Sequence, residues 1–206
     1  MRKLVLVVHT SLDGFVAGPN GELDGFDSGE ENLEAVCQLT KEADAALFGR
    51  ISYQLLNSDW PTKKDNPDAT WNEVVYSCWY NQAKKFVVSK TLQQDEKNVT
   101  IIRDNLSSGI SKLKQATGKQ ILIFGSPMLS QTLMQLGLID EYWVFVNPVI
   151  FGEGIPLFKQ GNHKTKLQLL TRKQFANGEI ALHYKVNEQQ NVSARIGISS
   201  EETYVH

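Results

Sequence analysis

Apolar positions along the chain keep changing rhythm. Leu4 to Val8 are apolar without a break, the pattern of a central strand covered by helices on both sides. A glycine-rich stretch, SLDGFVAGPNGELDGFDSG, follows and reads as one long functional loop. Leu33, Val36, Cys37 and Thr40 then recur at helical spacing. AALFG at 45–49 predicts a second short strand, Arg50 to Asn57 a short helix, and SDWPTKKDNPD at 58–68 a loop. Trp71, Val74, Val75 and Cys78, at i, i+3, i+4 and i+7, predict a helix with that face turned inward. KFVVS at 85–89 and NVTIIR at 98–103 are strands. Leu106, Ile110 and Leu113 mark a helix before the strand ILIFG at 121–125. Leu129, Leu133 and Leu136 mark the next helix, stopped by Gly137, and EYWVFVNPVIF is a further strand run.

This alternation is the signature of a mostly parallel sheet with crossover helices. After residue 147 the pattern changes. KLQLLTRKQF and EIALHYKV are two strands separated by Ala176-Asn177-Gly178, and Asn-Gly is a strong hairpin signal. The expected fold is therefore three-layer α/β/α, with a mostly parallel central sheet closed by a C-terminal antiparallel hairpin. Residues 1–187 form one domain and 188–206 an extension. Within the extension, Val192, Ala194, Ile196 and Ile198 alternate with polar residues, which predicts a strand over 191–199. Such a strand needs a sheet edge, and we expect it to cross between the subunits of a homodimer.

Composition narrows the function. With 206 residues the chain can bury a full core, and its net charge of −2 offers no basic excess for nucleic acid. The apolar run at the N-terminus is too short for a secretion signal or a membrane span, so a cytoplasmic protein that binds no membrane is expected. Cys37 and Cys78 are the only cysteines; both fall on helix faces, as packing residues rather than a disulfide or zinc framework. His9, His163, His183 and His206 lack metal-ligand spacing, and His9, ending the first strand, reads as a hydrogen-bonded structural histidine.

Three strand ends carry the residue types that hold phosphate. In ILIFGSPMLSQTL, Gly125 allows close approach of backbone to a ligand, Ser126 suits an N-cap and Pro127 the first helical position. The helix that starts there is a ready anion site. In LFGRISY, Gly49 ends a strand while Arg50 and Ser52 open a helix; in FVVSKTL, Ser89 and Lys90 follow a strand directly. Each alone is an ordinary turn or a surface ion pair. Together they point to one ligand, because open α/β sheets bind beyond the carboxyl ends of their strands. An Arg, Lys and Ser set there suits an adenosine 2′-phosphate, and so NADPH over NADH.

These segments resemble the dihydrofolate-reductase-like family, in particular the reductase domain of bifunctional riboflavin-biosynthesis enzymes and its small stand-alone bacterial members. SLDGFVAG, ALFGRISYQ, DWP, KFVVSKTL, NVTIIR, ILIFGSPMLSQTL, GLIDEYWVFVNPVIFGEGIPLF and QFANGEIALHYKV occur in the family's order across residues 4 to 186. The resemblance implies NADPH as cofactor. It places the adenosine phosphate at Gly49, Arg50, Ser52, Ser89 and Lys90, and the pyrophosphate at Gly125, Ser126 and Leu129. It sets Asn147-Pro148 through Gly152 and Gly154 beside the nicotinamide and substrate. Dihydrofolate reductase usually has two adjacent glycines where this chain has Gly125-Ser126, a form its stand-alone relatives share.

The substrate side is open to several carboxylates. Asp13 is the first candidate for substrate binding or proton supply and Glu34 the second, with Glu30 and Glu31 competing. The deaminase half of the riboflavin enzymes is absent, since no H-x-E or P-C-x-x-C zinc motif occurs. The expected activity is reduction of a small-molecule heteroaromatic or C=N substrate, of pterin or ribosylamino-pyrimidine type. Alternatives are a non-catalytic nucleotide- or flavin-binding module and a reductase of xenobiotic carbonyl or nitro groups.

Overall fold

The computed structural model describes residues 1–27, 29–93, 98–159, 161 and 164–187. Strand β1 (Leu4–Thr10) is apolar on both faces because both are covered. The chain passes through the short β2 (Phe15–Ala17) and helix α1 (Glu30–Lys41) to β3 (Ala43–Gly49). Helices α2 (Arg50–Asn57), α3 (Trp60–Lys63) and α4 (Trp71–Gln82) lead to β4 (Lys84–Val88) and β5 (Val99–Ile102). Helix α5 (Leu106–Gln115) returns to β6 (Gln120–Phe124), and α6 (Pro127–Gln135) to β7 (Glu141–Val146). Then come β8 (Ile155–Pro156), β9 (Leu167–Gln174) and β10 (Ile180–Val186).

The main sheet has eight strands in the order β5-β4-β3-β6-β1-β7-β10-β9. The first six run parallel; β10 and then β9 add antiparallel. The chain leaves β1 for β3, steps outward to β4 and β5, then returns to place β6 between β3 and β1. That reversal opens a crevice beyond the C-terminal ends of β3, β6 and β1, where such sheets bind ligands. One face packs α1, α2 and α4 over Val5, Val7, Phe48 and Phe145. The other packs α5 and α6 over Leu4, Leu6, Ile121 and Ile123.

Four local expectations change. The 58–68 loop contains α3. The glycine-rich loop contains β2, which pairs with β8. The 141–151 strand run stops at Val146, because Pro148 cannot continue a ladder. Helix α4 forms, with a reciprocal capping box of Thr70 and Glu73, but it buries Tyr76, Ser77 and Tyr80, while Trp71 is 78% exposed. The tyrosines win the inward face because each covers more apolar area than a valine or cysteine. Cys37 is buried, and burial pushes its thiol up to about 11, which suits packing rather than reactivity; Cys78 is only half-buried. The predicted tail strand at 191–199 lies outside the described residues.

Candidate functional site

The glycine turn is built from two consecutive left-handed residues. Gly125 has φ 55° and Ser126 φ 50°, and α6 starts at the next residue with Pro127 in its first turn. A Cβ on Gly125 would meet nothing within 4 Å, so the space beside its backbone is open. Ser126 stands at the N-cap position but its hydroxyl does not cap the helix. It accepts instead from the Gly49 N–H (2.9 Å) and donates to the Phe124 carbonyl (3.3 Å). This bond ties the end of β3 to the end of β6 and sets the starts of α2 and α6 side by side. Neither helix has a side-chain cap, so first-turn N–H groups at both are available to an anion. Leu129 is 7% exposed and packs in the core, leaving only its backbone for a ligand.

Cations line the neighbouring strand ends. Arg50 is exposed and donates to Gln54 (3.0 Å); Lys90 is exposed just past β4. Ser52 is half-buried in the first turn of α2. Ser89 is nearly buried, and its hydroxyl accepts from the Thr91 and Leu92 N–H groups, so it shapes the turn that carries Lys90. Arg103, just past β5, donates to the carbonyls of Lys90 (3.3 Å) and Leu92 (2.9 Å) and braces the same turn. Among the described residues none of these three cations has a carboxylate within ion-pair distance. Strand spacing of about 4.8 Å sets them in a row roughly 10 Å long.

The substrate-side carboxylates divide differently from expectation. Asp13 clamps two loops: it accepts from the Ser11 hydroxyl (2.6 Å) and from the N–H groups of Phe151 (3.1 Å) and Gly152 (2.8 Å). The Ser11 hydroxyl and these backbone donors hold its carboxyl below the ordinary range, which makes it a loop anchor and a poor proton source. Gly152 thereby spends its N–H on Asp13. Glu30 binds Thr70 and Asn72 of the α4 start, Glu31 accepts from the Ala176 N–H, and Glu34 is exposed on the outer side of α1. Gly154, with φ 152°, is held so close to β2 that a Cβ would lie 2.3 Å from the Ala17 carbonyl oxygen.

A different carboxylate is buried beside the C-terminal ends of β1 and β7. Glu179, in the hairpin between β9 and β10, is fully buried. It accepts from His9 Nδ1 (2.9 Å), from Asn147 Nδ2 (3.0 Å) and from Asn32 Nδ2. His9 is hydrogen-bonded, as its place at the end of β1 suggested, and its side chain is 27% exposed. A cavity of about 160 Å³ adjoins this cluster, lined by residues 29–32 and 175–177. A larger one of about 450 Å³, beside Met1, Ser107, Lys114 and Leu138, lies at the N-terminal end of the sheet, away from the strand ends that bind ligands.

Residues 2–181 match the RibD C-terminal domain family. The chain belongs to that family. An uncharacterized protein, YyaP, of Bacillus subtilis (strain 168) is 31% identical over 189 residues, 90% of this chain and 96% of its own. Acinetobacter baumannii RibD superposes with a TM-score of 0.67 at 19% identity, over 91% of this chain and 58% of that one. A pyrimidine reductase-like protein from Corynebacterium diphtheriae does so with a TM-score of 0.65 at 18% identity, over 90% and 92%. The dihydrofolate-reductase-like fold inferred from the motifs is thus the fold of the family. Among the described residues, no helix is long and apolar enough to cross a membrane and no group of side chains is arranged to hold a metal.

The ends of β3, β4 and β6 that the sequence singles out lie side by side, and two further groups of residues adjoin them. Arg103 was read only as the end of a strand, although a basic residue following the apolar run VTII was a usable signal. Glu179 and Asn32 carry no local signal, because their meeting depends on a hairpin folding back against α1.

Proposed function

We propose that this family member is an NADPH-dependent reductase of a small heteroaromatic or C=N substrate, of pterin or ribosylamino-pyrimidine type. One observation carries this reading. The Ser126 hydroxyl joins two uncapped helix starts at the reversal point of the sheet, beside a row of cations with no carboxylate partner among the described residues. That arrangement suits anion binding, with space at Gly125 for backbone contact. Arg50 and Lys90 would hold the 2′-phosphate, with Ser89 and Arg103 fixing the loop that presents Lys90. Gly125 and Ser126, with the Leu129 backbone, would hold the pyrophosphate, and Gly49, whose N–H is taken by Ser126, would shape the α2 start beside the adenosine phosphate. When bound, NADPH supplies the hydride. The chain would supply orientation for the substrate ring on the β1 and β7 side.

The test has two parts. Titration of NADPH and NADH into the protein measures binding, with NADPH expected to bind at least tenfold more tightly. Loss of NADPH absorbance is then followed with 5-amino-6-(5-phosphoribosylamino)uracil and with dihydropterins. Equal affinity for the two cofactors refutes the 2′-phosphate site, and tight binding without turnover on any of these compounds refutes the reductase.

A further inference from the structure

We propose that His9 donates the proton to the substrate's ring or imine nitrogen, positioned for it by Glu179; the proposal rests on the reductase reading above. Gly125 donates its N–H to the Val7 carbonyl, so the glycine turn lies level with Val7. His9 is two residues further along β1, roughly 7 Å beyond the turn at strand rise. It projects from the same face of the sheet as Val5 and Val7, the face that packs α1.

Next comes orientation. Glu179 can only accept, so the His9 Nδ1 carries a hydrogen and the ring is locked with Nε2 turned away. No described residue bonds Nε2. Phe145 stacks on the imidazole at 4.9 Å, Phe26 approaches it tilted at 6.3 Å, and Phe26 stacks on Phe151 at 5.1 Å. Gly25 must lack a side chain here, because a Cβ would fall 2.5 Å from the Phe151 ring. His9 is therefore a part-exposed polar group set among aromatic rings, suited to stacking with a planar nitrogen heterocycle.

Cost supports the same conclusion. A fully buried carboxylate needs every oxygen satisfied, and Glu179 has three side-chain donors from three separate elements. Apolar packing would serve stability as well or better. The Asn147 amide is fixed by three acceptors around its nitrogen: Thr10 O, Phe145 O and Glu179 Oε1. Its oxygen must face the other way, where it is buried and no described residue bonds it. A polar cluster left with an open acceptor is a site rather than packing. The protein contains a comparison. His183 also bonds a buried carboxylate, Glu141, at 3.0 Å, but it stacks on Trp143 at 4.3 Å, and Glu141 sits at the start of β7, where Lys3 also holds it. That pair is closed and lies at the wrong end of the sheet for a ligand.

Reducing a C=N bond adds a hydride to carbon and a proton to nitrogen. As the new N–H bond forms on the substrate, the Nε2–H bond of the imidazolium breaks and its electron pair stays on Nε2. Solvent returns a proton through the exposed edge of the ring, and Glu179 balances the charge whenever the imidazolium forms.

Nitrogen NMR on the full-length protein, labelled at histidine, tests this together with steady-state kinetics on 5-amino-6-(5-phosphoribosylamino)uracil. We expect His9 to show hydrogen on Nδ1 toward Glu179, and its Nε2 resonance to move when 5,6-diaminouracil is added as a ring probe. Glu179→Gln keeps an acceptor for Nδ1–H but removes the charge that balances the imidazolium, and should lower kcat about 100-fold. His9→Gln should lower kcat on the order of 10²- to 10⁴-fold, the range of general acid catalysis, with KM changed less than threefold. A His9 resonance indifferent to saturating probe, or a His9→Gln enzyme with wild-type kcat, overturns the proposal. A His9 that responds to the probe in a protein that never consumes NADPH overturns the reductase reading and the proton transfer, and leaves only the ring site.

Discussion

Replacing Ser126 by alanine tests the hinge on which the phosphate cradle depends. The Ser126 side chain is nearly buried and bonds both the Gly49 N–H and the Phe124 carbonyl. Alanine removes a net contribution of about 1 kcal/mol and leaves the half-buried Gly49 N–H without its acceptor, which adds about 1 kcal/mol more. In a domain of this size, roughly 2 kcal/mol lowers Tm by about 4–8 °C. Glycine at the same position loses the same bonds but relieves the left-handed backbone, recovering about 1 kcal/mol. Thermal unfolding by circular dichroism should therefore rank wild type above Ser126→Gly above Ser126→Ala. The ends of β3 and β6 are no longer tied in either variant. NADPH should bind both about tenfold more weakly, measured well below either Tm so that unfolding does not contribute. If Ser126→Ala melts within a degree of wild type and binds NADPH normally, the hinge is incidental to the fold and to the site.

Arg50→Ala and Lys90→Ala should each cost roughly 1.5–3 kcal/mol of NADPH binding and leave NADH nearly unchanged; equal losses for both cofactors in a titration would refute the 2′-phosphate assignment. Gly125→Val puts a branched side chain into the open space beside the turn at φ 55°, and should abolish NADPH binding while circular dichroism still reports a folded sheet. Glu141 is held below the ordinary carboxyl range, chiefly by the His183 hydrogen bond and then by Lys3. Its contribution to stability is full above the unfolded pKa of about 4.3 and is lost as pH falls through the lower folded value. The urea midpoint gap between wild type and Glu141→Gln should accordingly close below about pH 4.3; a gap independent of pH contradicts this. Deleting 188–206 should shift light scattering from dimer toward monomer, because all eight residues of the edge strand β9 are exposed and a second copy's exchanged tail is the partner we propose for it. An unchanged dimer sinks that idea.

Much of the fold was legible in the chain itself. The unbroken apolar runs of β1, β3 and β6 can persist only where helices cover both faces, so the parallel core followed from composition of short segments. Asn177-Gly178 specified a tight connection, and Gly178 takes φ 86° within the turn closed by Phe175 and Glu179. The glycine, serine and arginine at the ends of β3, β4 and β6 pointed to the proposed phosphate cradle, because those residue types act through backbone freedom and charge, which are local properties. The inward face of α4 was not legible in the same way, since valine and tyrosine both fit a helical stripe and only the depth available against Phe48 and Phe124 selects the tyrosines.

The sequence by itself therefore determined the strand and helix order, the parallel-then-antiparallel sheet and the glycine turns proposed to hold phosphate, because each depends on residues close together in the chain. Tertiary structure alone decided which carboxylate is buried against His9. Asp13 sits in the more conspicuous motif, yet folding brings it against the Phe151 and Gly152 amides and turns it into a loop clamp. Glu179 lies 170 residues from His9 and 147 from Asn32, and acquires its partners only when the last hairpin docks beside β7 and against α1. A buried carboxylate is defined by the donors that surround it, and those donors come from elements that no local pattern connects.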